Sequence, residues 1–238
     1  MHTGPPMGSG RTADVYALDG PWVLRRYRDG IDATGELAVM SYLAASGFPV
    51  PRIGPPAEDA LPTDLVMQRL TGPTLAEALL AGTTTEAEGA ELLARLLREL
   101  HAIPPRLSQD PEDRILHLDL HPENVILAPE GAMVIDWLTA GEGPPALDRA
   151  MSSLILAQVA LDPSFPAGAR VRGLLAALLA AFADDGGVPA DALARATALR
   201  AEDPQLTAGE RAVLDEAAEL VASLTGCQAA PGRQTDPG

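Results

Sequence analysis

The sequence predicts an α+β fold built as two lobes, a small strand-rich one followed by a larger helical one. Three observations predict it. Before Gly72, short apolar strand patterns surround a single helical segment. Gly72-Pro73 then interrupts the chain. Beyond that break, leucine- and alanine-rich segments repeat with helical spacing. The expected boundaries are 1–71 for the first lobe, 72–225 for the second, and 226–238 for a polar, disordered tail rich in Gly and Pro.

In the first lobe, Thr12 to Leu18 and Trp22 to Tyr27 read as strands joined by a turn at Asp19-Gly20-Pro21. Asp32 to Ala45 has helical spacing at Leu37, Met40 and Leu43, with Gly47 as its stop. Phe48-Pro49-Val50-Pro51 is extended, because each proline biases its predecessor away from helix. Leu65-Val66-Met67 is a short buried strand. In the second lobe, Thr74 and Glu77 form the ends of a capping box. Glu86 to His101 is an amphipathic helix with Leu92, Leu93, Leu96, Leu97 and Leu100 on one stripe. Ile115 to Leu127 has no helical period, and Met133-Val134-Ile135 is a buried strand ending on Asp136. Helices are expected over 146–160, 166–183, 189–199 and 207–224.

Aromatic residues make up only 3% of the chain, so the core must be assembled from Leu, Ala and Val. The net charge is −16 and all 17 basic residues are Arg, a balance that repels nucleic acid and anionic membrane surfaces. The same balance suits a cationic small substrate, although most of it reads as a solvating surface. The single cysteine, Cys227, forms no internal disulfide and belongs to no zinc-ligand spacing. The first residues show no cationic region followed by an apolar run, and the longest apolar run, Leu174 to Ala183, is too short to span a bilayer. The cytoplasm is the expected compartment.

The chemistry concentrates in His117-Leu118-Asp119-Leu120-His121-Pro122-Glu123-Asn124, followed by Asp136 after an apolar strand. Phosphoryl transfer needs a carboxylate beside the attacking hydroxyl, hard oxygen ligands for Mg²⁺, and clamps on the phosphates. Asp119 can supply the first, while Asn124 and Asp136 can supply the second. An Asn five residues after the Asp is the catalytic-loop spacing of kinases, and Asn124 is the only asparagine in the chain. The bland alternative is a polar turn in which His117 and Asn124 bond local backbone.

On this loop, on Val134-Ile135-Asp136-Trp137, and on the supporting stretches Val23-Leu24-Arg25-Arg26, Gly47-Phe48-Pro49-Val50-Pro51-Arg52 and Leu96 to Pro104, the sequence resembles the aminoglycoside phosphotransferase (phosphotransferase enzyme) family. The likeness in order runs from about Gly8 to Asp148. It implies a protein-kinase-like fold and an ATP-dependent phosphotransferase acting on a hydroxyl of a small molecule, with ATP and Mg²⁺ as cofactors. By the resemblance, Asp119 is the catalytic base, His117 supports the loop, and Asn124 and Asp136 hold Mg²⁺. His121 equally fits loop packing or a substrate contact. Gly8-Ser9-Gly10 covers the phosphates, and Arg25 takes the place of the phosphate-binding cation, with Arg26 on the opposite strand face as the alternative. Glu36 pairs with that cation, or is an exposed helical charge. Met67 and Gln68 open the linker whose backbone bonds adenine, although Met67 also fits a plain core position. Asp148 braces the catalytic loop, or is a simple helix-start acid.

The sequence departs from the family in three places. Arg replaces the usual Lys, the second lobe is short, and the segment usually preceding the Gly-rich loop is expected to be missing. Only 11 residues separate Asp136 from Asp148, which leaves no room for a long activation segment and argues for a small-molecule acceptor. A non-catalytic nucleotide-binding or regulatory module of the same fold is the second reading, and a helical interaction protein the third.

Overall fold

The computed structural model describes residues 3–56 and 60–228. The first lobe is an antiparallel four-stranded sheet in the order β1-β2-β3-β4, formed by Thr3–Ser9, Ala13–Leu18, Trp22–Tyr27 and Asp64–Gln68. Helix α1 (Thr34–Ala45) follows β3 and buries Glu36, Val39, Met40 and Leu43. The tight turn between β2 and β3 has Gly20 at φ +75°. Successive side chains of β3 point to opposite faces. Leu24 packs with Leu18, Val66 and Trp22 on the outer face. Tyr27 joins the main core on the inner one.

Strand β1 lies before the first expected strand, where the sequence reading had no structured segment. Its Pro5-Pro6 pair hides it from strand patterns, since proline cannot donate to a ladder. The structure accommodates it at the sheet edge, with register irregularities on both sides of Pro6.

In the second lobe, α2 (Leu75–Ala81) and α3 (Glu86–His101) both start with complete capping boxes, Thr74 with Glu77 and Thr85 with Glu88. The leucine stripe of α3 buries Leu93, Leu96, Leu97 and Leu100. Two small two-stranded ladders follow: β5 (Arg114–Leu116) with β8 (Gly141–Gly143), and β6 (Val125–Ala128) with β7 (Gly131–Val134). They carry the polar cluster between them. Helix α4 (Pro145–Leu161) is buried at every position from Leu147 to Gln158, as expected of a helix surrounded by others. Around it lie α5 (Gly168–Ala181), α6 (Ala190–Glu202), α7 (Ala208–Ala212) and α8 (Leu214–Gln228).

One expected helix, 207–224, is two. The Glu210 carbonyl accepts a hydrogen bond from Gln158 Nε2 of α4 at 2.8 Å. In a continuous helix that carbonyl would accept from the residue-214 N–H. The helix breaks at Val213 and restarts at Leu214. The expected tail also begins later, because α8 runs to Gln228; residues 229–238 lie outside the described residues.

The lobes meet where the chain leaves β4. Gly72 has φ +130°, and a Cβ there would stand 2.2 Å from the Leu127 carbonyl oxygen. Val134 N–H also donates to the Pro49 carbonyl across the junction, at 2.9 Å. Replacing Gly72 by Ala must move the backbone of β6, so Gly72→Ala is expected to cost about 3 kcal/mol or more in urea unfolding. Gly47→Ala, also at positive φ but facing open space, should cost only about 1 kcal/mol.

Candidate active site

Arg25 leaves the inner face of β3 and is almost fully buried. Its Nη2 donates to Asp136 Oδ1 at 2.6 Å and its Nη1 to Glu36 Oε1 at 3.3 Å. The guanidinium also lies 4.9 Å from the centroid of the Tyr27 ring. Glu36 is a buried carboxylate on α1, not a surface charge. It accepts the Tyr27 hydroxyl and, at 3.0 Å, the Trp137 N–H. Burial pushes the Glu36 carboxyl up, and Arg25 and Tyr27 oppose that shift. The network therefore ties β3, α1 and the segment after β7 into one unit. Arg26 points the other way and forms a two-point pair with Asp64, with both contacts at 2.7 Å.

The His117–Asn124 loop hangs from α4. Asp148 has no exposed surface, and its carboxylate accepts from His117 N–H at 2.9 Å and Leu118 N–H at 2.7 Å. His101 Nε2 lies 3.0 Å from the same carboxylate. Burial opposes ionisation of Asp148, but the His101 contact and the His117 amide outweigh it and hold the carboxyl below the ordinary range. So the acid in the first turn of α4 is also the brace of the loop. Leu118 adopts φ +61° and Asp136 φ +67°, left-handed conformations that non-glycine residues seldom hold without surrounding constraint.

His117 is wholly buried and packs against Trp137, with ring centroids 4.5 Å apart. Its Nδ1 accepts the Asp119 N–H at 3.2 Å, so Nε2 carries the proton and donates to the Ile135 carbonyl at 3.0 Å. The ring thus links the loop to the strand that presents Asp136. Asn124 closes the other end: its Nδ2 donates to the Asp119 carbonyl at 2.8 Å and to Asp119 Oδ2 at 3.2 Å. Its carbonyl accepts from Ile135 N–H at 3.0 Å. Among the described residues Asn124 Oδ1 accepts no hydrogen bond and stays available to a cation. His121 caps the short turn Pro122–Asn124, and its Nε2 stands 3.7 Å from Asp119 Oδ2, an electrostatic contact rather than a hydrogen bond.

A cleft of about 1340 Å³ opens between the lobes beside these groups. Asp119, Asn124, Asp136, Arg25, Met67 and Gln68 all face it. His117 and Glu36 stand behind it. Gly8 and Ser9 belong to β1, paired with Val15 and Asp14, so the turn over the cleft is Gly10-Arg11-Thr12. Arg28 fixes that turn by donating to the Arg11 carbonyl at 2.7 Å and to Asp14 at 2.6 Å. In the linker, Gln68 N–H is committed to the Arg52 carbonyl and Arg69 N–H to the Pro21 carbonyl. Among the described residues the Leu70 N–H has no such backbone partner.

Two cleft residues escaped the sequence reading. Arg200 of α6 is held by Gln158 Oε1 at 3.1 Å and Asp203 at 3.4 Å, and its Nη1 stands 3.7 Å from Asp119 Oδ1. Arg11 crosses the cleft to Glu210 of α7 at 2.7 Å, and with Thr207 it draws the Glu210 carboxyl down to about 2 against the effect of burial. No local pattern announces either pair. Burial alone would raise the Asp119 carboxyl, yet His121 and, more weakly, Arg200 keep it below the ordinary carboxylate range.

The model of the phosphotransferase enzyme family matches residues 3–114 and 105–183 of this sequence. The chain belongs to that family. A search of curated proteins found no matching sequence. Among solved structures, a choline/ethanolamine kinase family protein from Mesorhizobium loti superposes with a TM-score of 0.56 at 16% identity, covering 96% of this chain and 89% of that one. The gentamicin complex of APH(2")-IIa gives 0.58 at 13% identity, covering 94% and 93%. A thermostable mutant of the aminoglycoside phosphotransferase APH(4)-Ia, in ternary complex with AMP-PNP and hygromycin B, gives 0.58 at 14%, covering 97% and 96%. At such identities the likeness establishes the protein-kinase-like fold of this phosphotransferase. The family match and the structure agree on a strand-rich first lobe and a helical second one.

Asp148 gives this phosphotransferase a pH signature. Its folded-state pKa lies below the unfolded 3.8, so the stabilisation is complete above 3.8 and is lost as pH falls through the folded value. Asp148→Asn is expected to lose about 3 kcal/mol at neutral pH. The gap between the variant and the original protein, measured by urea unfolding, should narrow as pH drops below 3.8.

Proposed function

We propose that this protein transfers the γ-phosphate of ATP to a hydroxyl group of a small molecule. The observation that carries the reading is the convergence of Asp119, Asn124 and Asp136 on one cleft beneath Arg25. Asp119 orients the acceptor hydroxyl and takes its proton as the new O–P bond forms and the bond to the ADP oxygen breaks. A carboxylate kept below its usual pKa is a weak base, which suits a loose transition state in which positioning and charge matter more than early proton removal. Asn124 and Asp136 are two hard oxygen donors, a set that fits Mg²⁺, which completes its shell with water and phosphate oxygens. Mg²⁺ would neutralise charge on the transferring phosphate. Among the described residues no cluster of three or more His, Cys, Asp or Glu forms an all-protein metal cage.

Arg25 is the clamp on the phosphates, the turn 10–12 covers them, and the Met67–Leu70 linker receives the base. Gly8 and Ser9 serve by holding that turn on β1. Val15 and Val23 above, with Ile126 and Ile135 below, give the base an apolar slot. The short Asp136–Asp148 connection favours a small acceptor over a protein. The net charge of −16 argues against nucleic acid, and no helix among the described residues is long and apolar enough to cross a membrane. Dependence on ATP implies the cytoplasm.

One observation favours the second reading, a nucleotide-binding module without turnover: Arg25 already occupies Asp136 at 2.6 Å. The two readings separate in one assay. Asp119→Ala should cut ADP release in an acceptor screen by about a thousandfold while thermal stabilisation by ATP and Mg²⁺ is retained. Unchanged turnover in that variant would remove Asp119 as the base. Stabilisation by ATP with no turnover on any acceptor would favour the module. Arg25→Ala should weaken nucleotide binding, whereas Arg26→Ala, which faces away, should leave it unchanged.

A further inference from the structure

The chain has no lysine, so any side-chain ammonium or guanidinium offered to a nucleotide's phosphates is an arginine's. Arg25 and Arg200 line the cleft with side chains only 10% and 12% exposed, each held by carboxylates. Arg11 differs. It sits in the turn over the cleft, and its side chain is 56% exposed, against 24% for its partner Glu210. The turn itself is fixed: Gly10 N–H donates to the Ala13 carbonyl at 2.8 Å, and Arg28 donates to the Arg11 carbonyl at 2.7 Å. Glu210 is fixed too. Its carboxylate accepts from the Thr207 amide at 2.8 Å and the Thr207 hydroxyl at 2.7 Å, and Gln158 holds its carbonyl. The Arg11 side chain is therefore the part of this bridge that can move, by side-chain torsions alone, and a largely exposed ion pair holds it weakly. The Glu210 hydrogen bond keeps the Arg11 guanidinium protonated above its ordinary value, and the charge of Asp119 adds to that effect. Arg11 is thus within electrical reach of the proposed base, where the transferred phosphate would approach.

We infer that Arg11 is a second phosphate-binding residue, and that Glu210 is its resting partner, released when a nucleotide enters. This rests on the kinase reading above, which puts the phosphates beneath the turn 10–12. The exchange needs no rearrangement of the backbone. A Mg²⁺-bound triphosphate still carries more negative charge than one carboxylate. A guanidinium takes phosphate oxygens through the same two-point fork with which Arg11 holds Glu210 at 2.7 and 3.2 Å. Arg25 approaches the phosphates from β3, and Arg11 approaches them from the turn above. Glu210 then opposes nucleotide binding, and it does so only through Arg11.

The test is calorimetric titration of AMP-PNP, with Mg²⁺ present, into the full chain and three variants whose folding circular dichroism checks. Arg11→Met should weaken binding about tenfold. Glu210→Gln should tighten it about threefold, because the competitor for Arg11 is gone. Glutamine also keeps the capping box with Thr207, so α7 retains its start. The double variant should bind as Arg11→Met alone does. This pattern separates the exchange from two simpler roles. A strap that only holds the lobes together would make Glu210→Gln weaken binding. A carboxylate that only repels the phosphates through space would let Glu210→Gln tighten binding equally in the Arg11→Met background. Either result overturns the inference, as does an Arg11→Met variant that binds as tightly as the original protein. Failure of AMP-PNP to bind the original protein would instead strike the kinase reading, and the inference with it.

Discussion

A carboxylate shut away from water, Asp148, sets the geometry on which the rest of the site depends. It stands in the first turn of a helix buried on all sides, so it cannot drift. Its two oxygens take the backbone N–H groups of His117 and Leu118, and His101 of α3 supports one of them. That arrangement offsets the cost of burying the charge and of holding Leu118 in a left-handed conformation. With those amides fixed, the loop has one course: Asp119 projects into the cleft and Asn124 turns back to hold it. His117 then carries the same rigidity to Ile135, next to Asp136.

The first lobe joins through a charged network, Arg25 with buried Glu36 and part-exposed Asp136. Arg differs from Lys in presenting a planar fork, and here the fork spans two carboxylates on separate elements at once. The proposed nucleotide site is therefore an extension of the packing between β3, α1 and the Asp136 segment. Arg11 and Glu210 add a tie at the cleft mouth, between the turn 10–12 and the last helices of the second lobe.

How much of this was legible in the sequence follows from the range of each interaction. The grouping of Asp119, Asn124 and Asp136 on one cleft was readable because they lie within a short stretch whose spacing is set by local backbone. That Arg25 and Arg26 point to opposite faces was readable as an alternation, whereas which of them faces the cleft follows from their partners, Glu36 on one face and Asp64 on the other. Strand β1 was not readable, since Pro5-Pro6 erases the alternating pattern and only pairing with β2 makes it a strand. Arg200 and the Arg11–Glu210 pair were hidden for a different reason. They join residues up to 199 positions apart, and no local period encodes which helix end will face which loop.

The central claim is that Asn124 and Asp136 form a single nucleotide–metal site with Arg25, and calorimetric titration of AMP-PNP with and without Mg²⁺ tests it most directly. The account predicts tighter binding with Mg²⁺ and loss of that gain in Asp136→Asn, with the metal-free affinity kept. Equal affinity with and without Mg²⁺, or a gain that survives Asp136→Asn, would contradict it.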